Sequence, residues 1–491
     1  MTARTTDLAA LLTDPDLLAD CAYIDGQWVE GDDGRFDVQN PARGDVIARV
    51  ADLSRSQVAG AIAQAEAAQK EWAHWTGKER ASALRRWFDL MTSHQDDLAT
   101  ILTAEQGKPL AEAKGEIAYG AGFVEFFAEE AKRIRGEILP AHARDKRISV
   151  IRQPVGVAAA ITPWNFPNAM IARKAAPALA AGCSFIVRPA GATPLSALAM
   201  AVLADRAGIP AGIFNVVTSS SAGEIGKEFC RNPLVRKLSF TGSTEVGRIL
   251  LRQAAEQVKK CSMELGGNAP FIVFDDADVD AAVEGAILCK FRASGQTCVC
   301  ANRIYVQDGI HDSFVERLTA RAAELRIGDG LDPGIDLGPL IDRAAVEKVR
   351  HHIADAREKG GEVILGGDTA DPSGSFFPPT ILTGATSDML FAQEEIFGPL
   401  APIFRFSDEA EVIALANDTI FGLASYFYAR DLGRVTRVAE ALEYGIVGIN
   451  TGIISTELAP FGGIKQSGLG REGSHHGIDE YLELKYICTS V

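Results

Sequence analysis

The chain has 491 residues, 47% of them hydrophobic, and carries a formal charge of −16. At roughly one domain per 150 residues, that length predicts two or three domains with sizeable cores. No segment concentrates lysine and arginine, which argues against a nucleic-acid or anionic-membrane surface, since both need a basic footprint.

Eight cysteines (Cys21, Cys183, Cys230, Cys261, Cys289, Cys298, Cys300, Cys488) are too sparse for a disulfide scaffold, and a reducing, cytoplasmic setting is expected. No paired-cysteine motif has a histidine partner, and the doublets His351-His352 and His475-His476 point in divergent directions on any regular element. No metal site is expected. Residues 1–20 lack a basic start with an apolar core, so they read as neither a secretory signal nor a transit peptide. No apolar run is long enough to span a bilayer.

Residues 54–134 read as helices. Ser54 is a plausible cap for a segment with apolar side chains at Val58, Ile62, Ala65 and Trp72. Gly107-Lys108-Pro109 breaks the series before a long helix running towards Arg135-Gly136. The charged strip Arg144-Asp145-Lys146-Arg147, followed by Ile148-Ser149-Val150-Ile151, looks like an exposed strand.

From 155 to 265 the pattern alternates. Short apolar runs at 155–161, 184–187, 214–217, 237–240 and 260–265 are separated by helical stretches, which predicts an α/β, right-handed, doubly wound parallel sheet. Such sheets bind ligands at the carboxyl ends of their strands. A second α/β series follows from 270–274 to 445–450. Residues 480–488 alternate like a strand that pairs with the 137–153 segment, within one subunit or across two.

Two turns bear on a dinucleotide. The pattern Gly468-Leu469-Gly470-Arg471-Glu472-Gly473 matches a nucleotide fingerprint but is rejected: no apolar strand precedes it and too few residues follow to complete the unit. Phe240-Thr241-Gly242-Ser243-Thr244-Glu245-Val246-Gly247 follows a strand and opens a helix, so backbone N–H groups and Ser243 could face an anion, though an ordinary strand-helix turn reads the same way. After the second strand, Arg188-Pro189-Ala190-Gly191 offers a guanidinium where NAD-selective sites place a carboxylate. Arg188 suits a phosphate, whereas the alternative is a surface arginine.

The chemistry centres on Gly295-Gln296-Thr297-Cys298-Val299, which sets a thiol in a glycine-bearing bend. Glu264 ends the last strand of the first series, before Gly266-Gly267. Asn165 lies in the rigid turn Thr162-Pro163-Trp164-Asn165-Phe166-Pro167. A thiolate that adds to an aldehyde needs donors for the oxyanion, and a carboxylate can activate water to hydrolyse the resulting thioester.

Over nearly its whole length the chain resembles an aldehyde dehydrogenase of the succinate-semialdehyde branch, on the motifs at 162–167, 240–247, 263–270, 295–302, Glu394-Glu395-Ile396-Phe397-Gly398-Pro399 and Pro460-Phe461-Gly462-Gly463-Ile464-Lys465. The resemblance implies Cys298 as nucleophile, Glu264 as base and Asn165 as oxyanion donor. It further implies Glu395 and Phe397 at the nicotinamide riboside, Trp164 and Ser243 at the pyrophosphate, and Thr162, Pro163, Gly242 and Leu265 beside them. The family implies a cofactor domain (1–136 and 154–264), a catalytic domain (265–472), and an oligomerisation flap (137–153 and 473–491) serving a homo-oligomer, a tetramer built as a dimer of dimers. One departure stands out: many members carry Lys-Pro-Ala-Glu or Lys-Pro-Ala-Ser where this chain has Arg188-Pro189-Ala190-Gly191. Loss of the carboxylate predicts NADP⁺ preference with residual NAD⁺ use, and arginine for lysine puts the usual ribose bond in question.

Arg173, Arg292 and Ser455 resemble the carboxylate-binding set of the same branch. Two guanidiniums in a partly dry pocket would favour an anionic tail. Cys300, beside the nucleophile, is a candidate for a reversible Cys298–Cys300 disulfide, against the plainer reading of a small buried side chain. Competing readings are a glutarate-semialdehyde or neutral-aldehyde dehydrogenase on the same scaffold, a non-catalytic binding protein, and a cysteine hydrolase without cofactor.

Overall fold

The computed structural model describes residues 7–369 and 374–491. The helical N-terminal region begins as its sequence implies. Ser54 caps Arg55–Trp72 in a reciprocal box, its hydroxyl accepting from the Gln57 N–H at 3.3 Å while the Gln57 side chain accepts from the Ser54 N–H at 3.0 Å. Val58, Ile62, Ala65 and Trp72 are all buried on one face of that helix. The long helix that follows Gly107-Lys108-Pro109 spans Leu110–Glu130.

Two large sheets organise the molecule. The first has eight strands, and its parallel centre runs Lys260–Glu264, Val235–Thr241, Val157–Ile161, Ser184–Arg188, Phe214–Val216. The antiparallel hairpin Ala22–Ile24 and Gln27–Val29 closes one edge. The second sheet has seven strands in the order Glu362–Leu365, Thr380–Thr383, Leu400–Phe406, Ala301–Gln307, Ala269–Val273, Ala424–Tyr428, Ile446–Ile449, parallel except for the first pair. This is the expected α/β architecture of parallel sheets carrying helices.

Helices cover both faces of each sheet, so its strands are apolar throughout, and alternate side chains feed two separate cores. Phe185 and Val187 point into the cluster that holds Trp87, Phe127 and Phe214, whereas Ile186 joins Ile62, Leu238 and Met263 on the other face. In the second sheet Phe271 and Val273 face one cluster, and Ile272 and Phe274 the other.

The outlying segments pair within one chain. Leu482–Ser490 runs antiparallel to Lys146–Pro154 from Leu482 opposite Pro154 to Ser490 opposite Lys146, and Glu137–Leu139 adds a third strand. Apart from Leu482, which joins the Trp87–Phe127 core, this sheet faces outward: Ile138 is 90% exposed, and Leu484 and Tyr486 are also exposed.

The glycine cluster rejected as a nucleotide fingerprint has a different job. Gly468–Leu469 forms a short antiparallel edge strand with Gly468 opposite Glu264. A Cβ on Gly468 would lie 1.9 Å from the Met263 carbonyl, so only glycine lets the two backbones meet there. Among the described residues no helix is long and apolar enough to cross a membrane.

Candidate active site

Glu264 ends its strand with its backbone fully engaged. Its carbonyl accepts from the Gly242 N–H at 3.0 Å, and the next N–H, of Leu265, donates to the Ser467 carbonyl at 2.9 Å. Its carboxyl is buried, and neither oxygen has a hydrogen-bond partner among the described residues. Burial, reinforced by nearby Glu472, pushes its pKa well above the usual carboxylate range, while the charges of Arg173 and Lys174 pull the other way.

The thiol loop is tied down by hydrogen bonds from several elements. Helix Val279–Phe291 ends, and Ala293, Ser294 and Gly295 follow in left-handed conformation (φ 49°, 55° and 76°). For the two non-glycines that backbone costs about 1–3 kcal/mol each. The Ala293 N–H donates to Glu112 at 2.8 Å and the Ser294 hydroxyl to the Gly338 carbonyl at 2.7 Å. The Gln296 side chain donates to the Ala293 carbonyl and accepts from the Ile341 N–H. Gly267 lets the Cys298 carbonyl pass, since a Cβ there would lie 2.4 Å from that oxygen. Cys298 is half-buried, and burial pushes its thiol up to about 12 against the opposing charge of Arg173.

Asn165 bridges to this loop, its Nδ2 donating to the Gln296 carbonyl at 2.9 Å. The Asn165 carbonyl accepts from Lys108 Nζ at 2.7 Å. Lys108 pairs at 2.6 Å with Glu116, which in turn accepts from the Asn168 and Ala169 N–H groups at the start of helix Ala169–Ala181. A carboxylate is well placed at that positive helix end. Sequence reading missed Lys108 and Glu116, because nothing local marks a buried ion pair.

A cavity of about 350 Å³ brings together Cys298, Glu264 and Asn165 with the cofactor candidates Pro163, Trp164, Gly242, Ser243, Leu265, Glu395 and Phe397 and the tail candidates Arg173, Arg292 and Ser455. The Trp164 and Phe397 rings meet edge-on with centroids 5.5 Å apart. Burial raises Glu395 to about 7, and its carboxyl accepts from the Gly267 N–H at 3.3 Å. Lys348 also lines this cavity, and its sequence context gave no sign of it.

The expected pair of free guanidiniums is only half present. Arg173 is 1% exposed and forms an ion pair with Glu472, which also binds Lys174. The Arg173 guanidinium stacks 4.4 Å from the Phe461 ring. Its charge is therefore largely answered inside the protein. Arg292 lies 5.7 Å from the Phe166 ring centre and has no carboxylate within ion-pair distance among the described residues.

Ser243 also has a local role, and the other candidates lie off this cavity. Ser243 caps helix Thr244–Ala255, its hydroxyl accepting from the Val246 N–H at 3.3 Å. Thr162 is buried with its hydroxyl unpartnered. Arg188 is buried beside Pro189, Ala190 and Gly191. Its Nη2 donates to the Ser219 carbonyl at 2.8 Å, its Nε has no partner, and burial pulls its pKa down to about 10. A carboxylate does stand nearby: Asp52, which accepts from the Ser219 hydroxyl at 3.0 Å and the Ser220 N–H at 2.9 Å. Cys300 faces away from the cavity, its thiol donating to the Lys290 and Ala301 carbonyls, both at 3.5 Å. A Cys298–Cys300 bridge would have to release both contacts.

A thiol, an unpartnered acid and an amide in one cavity between two sheets invite comparison with known proteins. The model of the aldehyde dehydrogenase family matches residues 28–487. This chain belongs to the aldehyde dehydrogenase family. It is 63% identical over 478 residues to a glutarate-semialdehyde dehydrogenase of Pseudomonas aeruginosa, covering 97% of this chain and 99% of that one. It is equally 63% identical over 481 residues to GabD, the succinate-semialdehyde dehydrogenase (NADP(+)) of Escherichia coli, covering 98% and 100%. The crystal structure of a succinate-semialdehyde dehydrogenase from Burkholderia pseudomallei superposes with a TM-score of 0.96 at 59% identity, over 98% of this chain and all of that one. The family and the two-sheet fold are thus as the motifs implied.

Proposed function

We propose that this chain oxidises an aldehyde with an anionic tail to the acid, succinate semialdehyde first and glutarate semialdehyde second, with NADP⁺ preferred over NAD⁺. The observation that carries the reading is the single cavity in which Cys298, Glu264 and Asn165 converge while Arg292 makes no ion pair among the described residues, the buried Glu112 acting on it only from beyond contact.

In this reading the Cys298 sulfur adds to the aldehyde carbonyl and forms a thiohemiacetal, and the Asn165 amide donates to the developing oxyanion. A nicotinamide held by Glu395 and Phe397 would supply the acceptor for the hydride that the thiohemiacetal carbon gives up. Cys298 then holds a thioester. Glu264 takes a proton from water, which attacks the thioester and releases the acid. A carboxyl with high proton affinity and no competing donors suits that step, because it can accept a proton and surrender it again. Arg292, with Ser455, holds the tail anion, and Arg173 adds donors from beneath.

The residues near Arg188 fit a dinucleotide. The orphaned Arg188 Nε and the open space beside Gly191, where an added Cβ would meet nothing closer than 3.9 Å, suit a phosphate on the adenosine ribose. The Ser243 turn offers a helix N-terminus to the pyrophosphate, and Val246 and Ile249 present exposed apolar side chains to the adenine. Trp164 would meet the pyrophosphate, and Glu395 and Phe397 the nicotinamide riboside. Thr162, Pro163 and Leu265 would line the passage. We further propose the three-stranded sheet, with Ile138, Leu484 and Tyr486 exposed, as the homo-oligomerisation surface.

The test is nicotinamide reduction with succinate semialdehyde, glutarate semialdehyde and butanal, each with either nucleotide. We expect kcat/KM for the anionic aldehydes to exceed that for butanal by at least about tenfold, and NADP⁺ to outperform NAD⁺. Arg292→Ala should raise KM for succinate semialdehyde far more than for butanal. Equal effects on both substrates defeat the tail assignment, and faster turnover with NAD⁺ defeats the nucleotide assignment.

A further inference from the structure

Four residues join the main cavity to its neighbour. Tyr119, on helix Leu110–Glu130, lines both the main cavity and a lateral one of about 230 Å³, and Phe166, Arg292 and Ser455 share the two linings. The Tyr119 hydroxyl is buried and has no hydrogen-bond partner among the described residues. Its ring packs edge-on against Phe123, with centroids 4.9 Å apart, which fixes where the phenol oxygen sits. The Arg173 guanidinium faces it and leaves its own Nη2 unpartnered. The Arg173 guanidinium is close enough to donate to the Tyr119 oxygen, which leaves the phenol proton without an acceptor; buried polar groups are nearly always satisfied, so that proton calls for an acceptor in the cavity.

We propose that Tyr119 is a specificity residue of the tail subsite: its hydroxyl donates to the terminal anion of the substrate, between Arg173 and Arg292, while Glu112 and Glu116 in the lateral cavity keep the anion on the main-cavity side. This rests on the anionic-tail reading given above. A terminal carboxylate offers about four lone-pair sites, more than one guanidinium fills. Glu472 answers the Arg173 charge, so Arg173 and Tyr119 together supply donors with little added charge. A neutral phenol suits this place because it strengthens anion binding without a second full cation to desolvate. The order along the wall also makes chemical sense. Arg292 neutralises the anion, while Ser455 and Tyr119 fix its orientation.

Tyr119→Phe removes the oxygen and keeps the ring against Phe123. The expected result is a KM for succinate and glutarate semialdehyde raised about tenfold, with kcat unchanged and butanal kinetics untouched. Independently of turnover, succinate should raise the melting temperature of the parent protein and do so much less in Tyr119→Phe. A KM increase shared by butanal, or no increase at all, overturns the proposal. If the parent itself shows no preference for anionic tails, the broader reading fails and this one with it. If the parent prefers them and Tyr119→Phe matches the parent, only the Tyr119 assignment falls.

Discussion

Two carboxylates, Glu264 and Glu472, are buried beside the same sheet edge and meet opposite fates. Glu264 ends the Lys260–Glu264 strand, and Glu472 follows closely on the Gly468–Leu469 strand that pairs with it, bridged backbone to backbone with Phe461 at 2.8 Å. Both have lost water. Glu472 is clasped by Arg173 and Lys174, which hold its carboxyl below the usual range in spite of burial. Glu264 has no donor among the described residues, and burial drives its proton affinity up. The contrast teaches that burial alone does not assign a role. The partner set decides whether a carboxylate is a strut or a group able to exchange protons.

The largest expected effect tests the reactive member of the pair. Glu264→Gln should lower steady-state turnover by about 10²–10⁴-fold while leaving the unfolding midpoint unchanged, since no hydrogen bond or ion pair of that carboxyl is lost. A burst of reduced nicotinamide equal to the enzyme present would place the block at thioester hydrolysis. Steady turnover near the parent rate would remove Glu264 from the reaction. The structural member should fail differently. Glu472→Gln strips the counter-charge from Lys174, which is fully buried, and from Arg173. Denaturant unfolding should show a loss of about 3–5 kcal/mol. An unchanged midpoint would mean the clasp contributes nothing.

A smaller effect, set by pH, sharpens the comparison from the side of the thiol. Burial holds Cys298 near 12, so thiolate is scarce at neutral pH and grows as pH rises. Without nucleotide, alkylation by iodoacetamide should quicken about tenfold per pH unit from about pH 7 to 9. A plateau within that interval would show the thiol already ionised and the burial argument wrong.

Local patterning made much of the site legible. Short apolar runs located the five parallel strands of the first sheet and the Ala269–Val273 and Ile446–Ile449 strands of the second, Ser54 marked the start of the first long helix, and Cys298, Glu264 and Asn165 stood out because each sits at the end of a strand or on a turn after a strand or helix. The groups that set their surroundings were invisible. Lys174 and Glu472 are 298 positions apart, and Lys108 and Asn165 are 57 apart. Nothing near Tyr119 or Asp52 in the chain distinguishes them from an ordinary core tyrosine or surface acid. The pair of free guanidiniums read from Arg173 and Arg292 shrank to one for the same reason, since the partner of Arg173 lies in a distant segment.

The amino-acid order by itself determined the α/β class and singled out Cys298, Glu264 and Asn165, because hydrophobic period and turn chemistry are properties of neighbouring residues. Only the folded molecule decided which charges are answered and which polar atoms are left waiting. Desolvation and ion pairing depend on what distant segments bring within a few ångströms, and no local window of sequence contains that information.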